Sequence, residues 1–246
     1  MNNKKKIIIL GATSGIGHAL ANRYIAAGHI VGLAARRLEI LREMADQRDN
    51  VFFEACDVQE PMVCVDQLQQ LATRMGGIDL FILCTGIGSM NAQLDDEIEQ
   101  STIRTNVVGW TAVVDWVFRR FLVQGFGHLV AISSIASLRG LGPAPSYSAT
   151  KAYQAHYLEA LRQRAMASGA PIYVTNIRPG FVKTPLLAHP EKFFWVVSVD
   201  RAADQMITAI EKKKGVVTVT RRWKLVVPIL LCLPNWIIAK IIKSVL

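Results

Sequence analysis

The stretch Lys6-Ile-Ile-Ile-Leu10-Gly11-Ala-Thr13-Ser14-Gly15-Ile16-Gly17 decides how the rest of the chain is read. Lys6–Leu10 is a largely apolar run of strand length, and a glycine turn ends it. A helical pattern then runs to Ala27 and is closed by Gly28, as helices often are. Strand, glycine turn and helix in that order open a dinucleotide-binding βαβ unit. Backbone N–H groups and the helix N-terminus face a pyrophosphate, and glycine lets the backbone approach it closely. The spacing is G-x-x-x-G-x-G where G-x-G-x-x-G is commoner, and a simple tight turn is the alternative reading.

Outward from this stretch the alternation repeats. Residues 30–34 read as a second strand and 38–47 as a helix, 51–56 as a third strand and 63–74 as a helix. Residues 78–83 form a fourth strand ending at Thr85-Gly86, and a helical stretch spans about 97–123 with Asn106 inside it. A fifth strand at 128–132, a helix at 146–168, a sixth strand at 171–177, a helix at about 200–213 and a short strand at 216–220 follow. Strands alternating with helices predict an α/β chain: one Rossmann-type, doubly wound, mostly parallel sheet with helices on both faces. No internal repeat, low-complexity linker or second domain interrupts it. Ligands of such a sheet bind at the carboxyl ends of the strands. Gly11–Gly17, Asp57, Gly86, Ser133-Ser134 and Pro179-Gly180 all fall just after predicted strand ends, which packing alone does not explain.

The second informative stretch is Ser134 to Lys151, SIASLRGLGPAPSYSATK. On a helix, Tyr147 and Lys151 are four apart and share a face. Free tyrosine titrates near pH ~10, and a fixed ammonium beside a phenol favours the phenolate. Such a pair can donate and accept a proton near neutral pH, and Ser134 can hold a substrate oxygen. An ordinary helix start after a Gly/Pro loop is the alternative for this segment by itself.

Bulk properties bound the reading. At 246 residues, about half of them apolar, the chain can bury a sizeable core. The net charge is +9, but residues 1–211 hold 20 basic and 19 acidic side chains, whereas 212–246 hold 8 basic and none acidic. The basicity belongs to the tail, and no groove-reading motif points to nucleic acid. Cys56, Cys64, Cys84 and Cys232 form no CxxC pair, which suits free thiols in a reducing, cytoplasmic compartment. The histidines His18, His29, His128, His156 and His189 show no metal spacing and read as surface or helix residues, so no metal site is expected. The opening MNNKKKIIIL reaches Gly11 after four apolar residues, too few for the ~7 of an export signal.

Taken together, GATSGIG (11–17), Asp57-Val58, Thr85-Gly86, Asn106, Ser134, Tyr147-x-x-x-Lys151 and Pro179-Gly180-x-x-x-Thr184 resemble, in order and spacing, the short-chain dehydrogenases/reductases. The resemblance implies a single Rossmann-type domain that transfers hydride between a nicotinamide and a carbonyl or alcohol. It implies that Tyr147 protonates the carbonyl oxygen, that Lys151 binds the nicotinamide ribose and lowers the tyrosine pKa, and that Ser134 fixes the substrate oxygen. Asn106 would hold a water connecting Lys151 to solvent. Gly11, Thr13, Ser14, Gly15, Ile16, Gly17, Gly86, Pro179 and Gly180 would line the cofactor, with Asp57 and Val58 at adenine and Thr184 at the carboxamide side of the nicotinamide. Two departures are visible: Leu10 stands where the family often has threonine, and Leu83-Cys84-Thr85-Gly86 stands for Asn-Asn-Ala-Gly.

The second strand ends in Leu33-Ala-Ala35-Arg36-Arg37. An NAD enzyme usually places an acid there for the ribose 2′-hydroxyl, whereas a guanidinium accommodates a 2′-phosphate. Arg36 and Arg37 therefore select NADP, two solvated arginines being the alternative. Phe193-Phe194-Trp195 falls in the region (about 181–198) that forms a substrate lid in the family, which implies a lipophilic carbonyl or alcohol.

The domain is expected to occupy 1–221, with 222–246 as a short amphipathic, basic extension. Its apolar run 225–239 is fifteen residues long and broken by Pro228 and Pro234, too short for the ~20 of a spanning helix. Asn235 is expected to cap a short helix with Ile237, Ile238, Ile241, Ile242, Val245 and Leu246 on one side and Lys240 and Lys243 on the other. A membrane surface, a second subunit and the substrate lid are the alternatives for this tail, and homo-oligomers are common in the family. The leading expectation is an NADP(H)-dependent oxidoreductase; the rival is a non-enzymatic nucleotide-binding sensor or scaffold docking through the tail.

Overall fold

In the computed structural model, which describes residues 4–187, 190–220 and 222–245, β1 (Lys6–Leu10) is buried on both faces of a parallel sheet. Among the described residues the sheet has seven strands in the order β3-β2-β1-β4-β5-β6-β7. The others are β2 (Ile30–Ala35), β3 (Val51–Ala55), β4 (Leu80–Leu83), β5 (Gly127–Ile132), β6 (Ile172–Pro179) and β7 (Val216–Val219). The period-two alternation of β1 explains its composition. Ile8 and Leu10 enter a core with Leu68 and Leu71 of α3 (Pro61–Arg74), Trp110 and Val113 of α5 (Trp110–Gln124) and Leu158 of α6 (Pro145–Ala167). Ile7 and Ile9 enter a second core with Leu20 of α1 (Gly15–Ala26), Leu41 of α2 (Leu38–Ala45) and Met206 of α7 (Val199–Glu211). Each such aliphatic side chain, fully buried, stabilises the fold by about 1.5–3 kcal/mol. A strand buried on both faces reads as a continuous apolar run, which is what IIIL is.

The pairing register aligns Leu10 with Ala34 and Leu83, and Leu83 with Ala131. The carboxyl ends of β1, β2, β4 and β5 therefore lie side by side, and the order reverses between β1 and β4. The glycine loop leaves the sheet at that switch point.

Several expected boundaries shift for local reasons. The helix from 38 ends at Ala45, because Gln47 turns to a left-handed φ of +55°. The fourth strand starts at Leu80, two residues later than the apolar run suggests. The long helical stretch is not uniform: α4 (Asp96–Ile103), capped by Asp95 accepting from Ile98 N, passes through a π-helical segment, Arg104–Gly109, before α5. His128, expected at the surface or on a helix, is buried at the start of β5, bonded to Thr175 at 2.8 Å, and burial holds its ring at about 4.

The tail forms two helices, α8 (Trp223–Cys232) and α9 (Asn235–Val245). The expected break at Pro228 does not occur: a proline in the second turn removes one backbone rung, and the rest of the helix closes around it. Asn235 begins α9, but its side chain accepts from Arg139 Nη2 at 2.6 Å. Met1–Asn3, His189, Arg221 and Leu246 lie outside the described residues, as do the side chains of Ile241, Ile242, Lys243 and Val245. Among the described residues no helix is long and apolar enough to cross a membrane.

Candidate active site

The glycine loop is built by close backbone approach. Gly11 has φ +93°, and a Cβ on Gly17 would lie 2.9 Å from the Gly11 carbonyl carbon and nearer still to its oxygen. Only glycine lets the start of α1 fold back onto the end of β1. Ser14 stands at the N-cap of this twelve-residue helix with no side-chain bond to it, and Ile16 packs its side chain into the second core. Thr85 Oγ1, beside Gly11, is buried without a hydrogen-bond partner. A backbone cradle, a helix N-terminus and these hydroxyls fit a phosphate-bearing dinucleotide.

The charged residues of this rim divide. Arg37 folds back, with Nε 3.2 Å and Nη2 2.9 Å from Thr13 Oγ1, so its guanidinium lies over the glycine loop. Arg36 stays exposed, 4.0 Å from Asp57, a separation at which screening leaves little energy. Asp57 Oδ1 accepts from Gln59 N at 3.0 Å. Val58 is buried where its carbonyl meets Gly109; a Cβ on Gly109 would lie 2.7 Å from the Val58 carbonyl carbon. At the far end of the loop, Thr184 Cγ2 lies 3.2 Å from where a Gly15 Cβ would be, so Gly15 and Thr184 face each other. Pro179 is the last residue of β6, and Gly180 N donates to Val219 O.

Ser134, Tyr147 and Lys151 converge next to this loop. Ser134 lies two residues past the end of β5, and its Oγ accepts from Ala136 N at 3.1 Å, opening a short 3-10 turn (Ile135–Leu138). Tyr147 lies one turn into α6, with its ring against Gly88. Burial pushes the Tyr147 phenol above its ordinary value, and a hydrogen bond from Ser134 acts the other way. Lys151 is only 3% exposed, with Nζ 5.8 Å from the Tyr147 ring centroid and 3.3 Å from Ile132 O. Burial lowers its ammonium to about 8, with the Cys84 side chain opposing. The depression of the tyrosine expected from Lys151 is thus not what governs the phenol here; burial does.

Asn106 is fully buried in the π-helical segment. Its carboxamide accepts from Ile87 N at 3.0 Å and donates to Ile87 O at 2.7 Å and to Thr150 Oγ1 at 3.1 Å. It therefore pins the loop after β4 to α6. Gly86 lies between them, its Cβ position 3.1 Å from Lys151 Nζ.

Sequence reasoning passed over Gly88, Gly109, Thr150, Gln154 and Trp223. Gly88 had a visible signal, a second glycine after Thr85-Gly86; the others had none, since the partners that mark them across the fold lie 28 to 51 positions away. Trp223 packs on Gly180 and on an aromatic cluster, with centroids 5.4 Å from Phe181, 5.5 Å from Phe194 and 5.9 Å from Trp195. Phe193 joins through Phe181 at 4.5 Å. Arg139, in the loop after Ser134, donates to Leu231 O at 3.1 Å as well as to Asn235, tying the tail to that loop. Among the described residues no cluster of His, Cys, Asp or Glu is arranged to hold a metal.

A doubly wound sheet with a glycine cradle at its switch point, flanked by a serine, a tyrosine and a buried lysine, defines a Rossmann-type α/β protein. The chain belongs to the short-chain dehydrogenase/reductase family of oxidoreductases: the family described as short chain dehydrogenase matches residues 5–192. An uncharacterized oxidoreductase of Myxococcus xanthus is 36% identical over 187 residues, covering 74% of this chain and 73% of that one. Among solved structures, a short-chain dehydrogenase from Sphingobium yanoikuyae in complex with NADPH superposes with a TM-score of 0.77 at 24% identity, over 90% of this chain and 92% of that one. A 3-ketoacyl-(acyl-carrier-protein) reductase from Brucella melitensis complexed with NADH does so with 0.77 at 22%, over 87% and 96%. Both structural likenesses concern the fold.

Proposed function

We propose that the protein is an NADP(H)-dependent reductase or dehydrogenase acting on a hydrophobic ketone, aldehyde or secondary alcohol. The observation that carries this reading is Lys151: an ammonium buried to 3% exposure is costly, and it lies beneath a tyrosine that Ser134 bonds. A non-enzymatic sensor has no need of that arrangement. In reduction, Ser134 orients the substrate oxygen and the Tyr147 hydroxyl, neutral because burial raises its pKa, delivers a proton to it. Lys151 supplies the positive charge that steadies the phenolate left behind. Asn106 holds the loop bearing Gly86 and Gly88 against these groups. The glycine loop, Asp57, Val58, Gly86, Pro179, Gly180 and Thr184 would hold the nicotinamide cofactor, which would supply the hydride. Arg37 over Thr13 supports NADP, as does the NADPH of the Sphingobium structure; the Brucella enzyme carries NADH.

The lipophilic substrate class is supported by the aromatic cluster of Phe181, Phe194, Trp195 and Trp223, and in this reading Trp223 brings the start of the 222–246 extension to the substrate side of the 1–221 domain. The outer face of α8 and α9 exposes Leu225, Ile229, Leu231 and Trp236 beside Arg222, Lys224 and Lys240, which suits an anionic bilayer surface. Co-sedimentation with anionic but not zwitterionic vesicles is expected for the intact cytoplasmic protein; protein left in the supernatant with both refutes it. Homo-oligomerisation, supported by exposed Val108 and Tyr153 on α5's approach and α6, is read by sedimentation velocity.

The test of function is NADPH consumption against a panel of ketones with Tyr147→Phe alongside. Turnover is expected to fall by about 10²–10⁴-fold with cofactor binding retained. A Tyr147→Phe variant as active as the parent sinks the mechanism.

A further inference from the structure

A buried amide spans the gap between the lysine and the irregular helix. Gln154, one turn after Lys151 on α6, is 0% exposed, and both ends of its carboxamide are engaged. Its Oε1 accepts from Lys151 Nζ at 3.0 Å, and its Nε2 donates to the Asn106 backbone carbonyl at 2.9 Å. The irregularity of that helix matters here. Trp110 N–H, which in a regular α-helix bonds the Asn106 carbonyl, goes instead to Thr105 O and Val107 O. The π-helical segment turns the Asn106 carbonyl toward α6, where Gln154 meets it. Full burial with all contacts to the lysine and the bulge is an expensive use of a polar side chain unless the linkage is needed.

We propose that Gln154 is a positioning residue for Lys151, its carboxamide forming a direct protein bridge from the ammonium to the Asn106 carbonyl of the π-helical segment. The proposal rests on Lys151 being the catalytic lysine. The bridge has two consequences. It sets where Lys151 Nζ sits relative to Tyr147, because among the described residues it and Ile132 O accept from the ammonium. It also fills with an amide the route on which a water would join Lys151 to Asn106. An amide passes a proton only through its imidic tautomer, so protons reach Lys151 from the Tyr147 side. The other groups facing Lys151 are Cys84 at the end of β4, whose thiol burial raises to about 12, and Tyr147 itself.

Two variants and one measurement on the unaltered protein test this. Gln154→Glu puts a carboxylate in hydrogen-bond reach of the ammonium, and the alkaline limb of kcat/KM for ketone reduction is expected to move up by about one to three pH units. Gln154→Leu removes the acceptor, and the limb is expected to move down. A role confined to packing lowers the melting temperature of both and leaves the limb in place, which overturns the proposal. Should either variant fail to fold, the side-chain amide resonances of Gln154 in the parent protein are followed by 15N NMR through the lysine titration. They are expected to shift with Lys151, and resonances that stay fixed overturn the bridge. If the parent reduces no ketone at all, the functional reading fails while the NMR titration still decides the bridge.

Discussion

Gly88→Ala is a one-carbon change aimed at the tyrosine. Gly88 has an ordinary backbone conformation, so alanine brings no strain of its own. The added Cβ would lie 2.6 Å from Tyr147 Cε2 and 2.8 Å from Cγ, and nearer still to Cδ2. Carbon atoms settle at about 3.5–4.0 Å, so the ring or the loop must yield by roughly 1 Å. The ring is met at its root, where Cγ joins a side chain carried on α6, and cannot swing clear as a flexible tip would. On the other side the loop is stapled by Asn106 to both the N–H and the carbonyl of Ile87. A misplacement of about 1 Å in a reacting group costs about 10²-fold, and overpacking of this kind about 1–3 kcal/mol of stability. Gly140→Ala, where no atom lies within 4 Å of the new methyl, is the control. The assay is kcat/KM for NADPH-dependent reduction of the best ketone, with a thermal melt on each protein. Gly88→Ala retaining activity within threefold of the parent refutes the argument that this glycine exists to receive the Tyr147 ring.

The pH dependence follows from Lys151, whose ammonium burial lowers from 10.5 to about 8. The charged form prevails below that value, so kcat/KM for reduction is expected to fall as pH rises through about 8. For stability the sign is opposite: the cost of the buried charge is fully present below pH 8 and is relieved between about 8 and 10.5, where the unfolded lysine still binds its proton. A Lys151→Met variant should lose that rise in melting temperature; a parent whose melting temperature does not climb over this range contradicts it. Arg37→Ala removes the guanidinium from Thr13, and the preference for NADPH over NADH is expected to drop by about tenfold; an unchanged ratio of kcat/KM values argues against a 2′-phosphate contact. Gly109→Ala drives a methyl into the Val58 carbonyl and is expected to lower the urea-unfolding free energy by about 1–3 kcal/mol. A loss below about 0.5 kcal/mol would show that α5 can shift away from the 57–58 loop.

The architecture and most of the candidate site are legible in the order of residues along the chain, because those properties are written in local patterns. IIIL before a glycine turn, apolar runs alternating with helical periodicity, and Tyr147 four residues before Lys151 each act through neighbours in the chain. The order of motifs along the chain then placed them on one sheet edge, since parallel strands all end on the same side. Contacts between segments far apart in sequence, by contrast, become legible only once the chain is folded. Helical periodicity carried no mark of the π-helical segment at 104–109, which depends on Gly109 receiving Val58 and Asn106 meeting Ile87. The tail's packing was likewise invisible: Pro228 suggested a break, yet Trp223 inserts beside Gly180 and Arg139 binds the α8–α9 junction. The phenol's raised pKa reverses the reading from Lys151 alone, because desolvation depends on everything packed around a group and not on its nearest charge. Gln154 is the clearest case. In the sequence it is one more polar residue on a long helix, and only folding brings the lysine to one end of its amide and a carbonyl 48 residues away to the other.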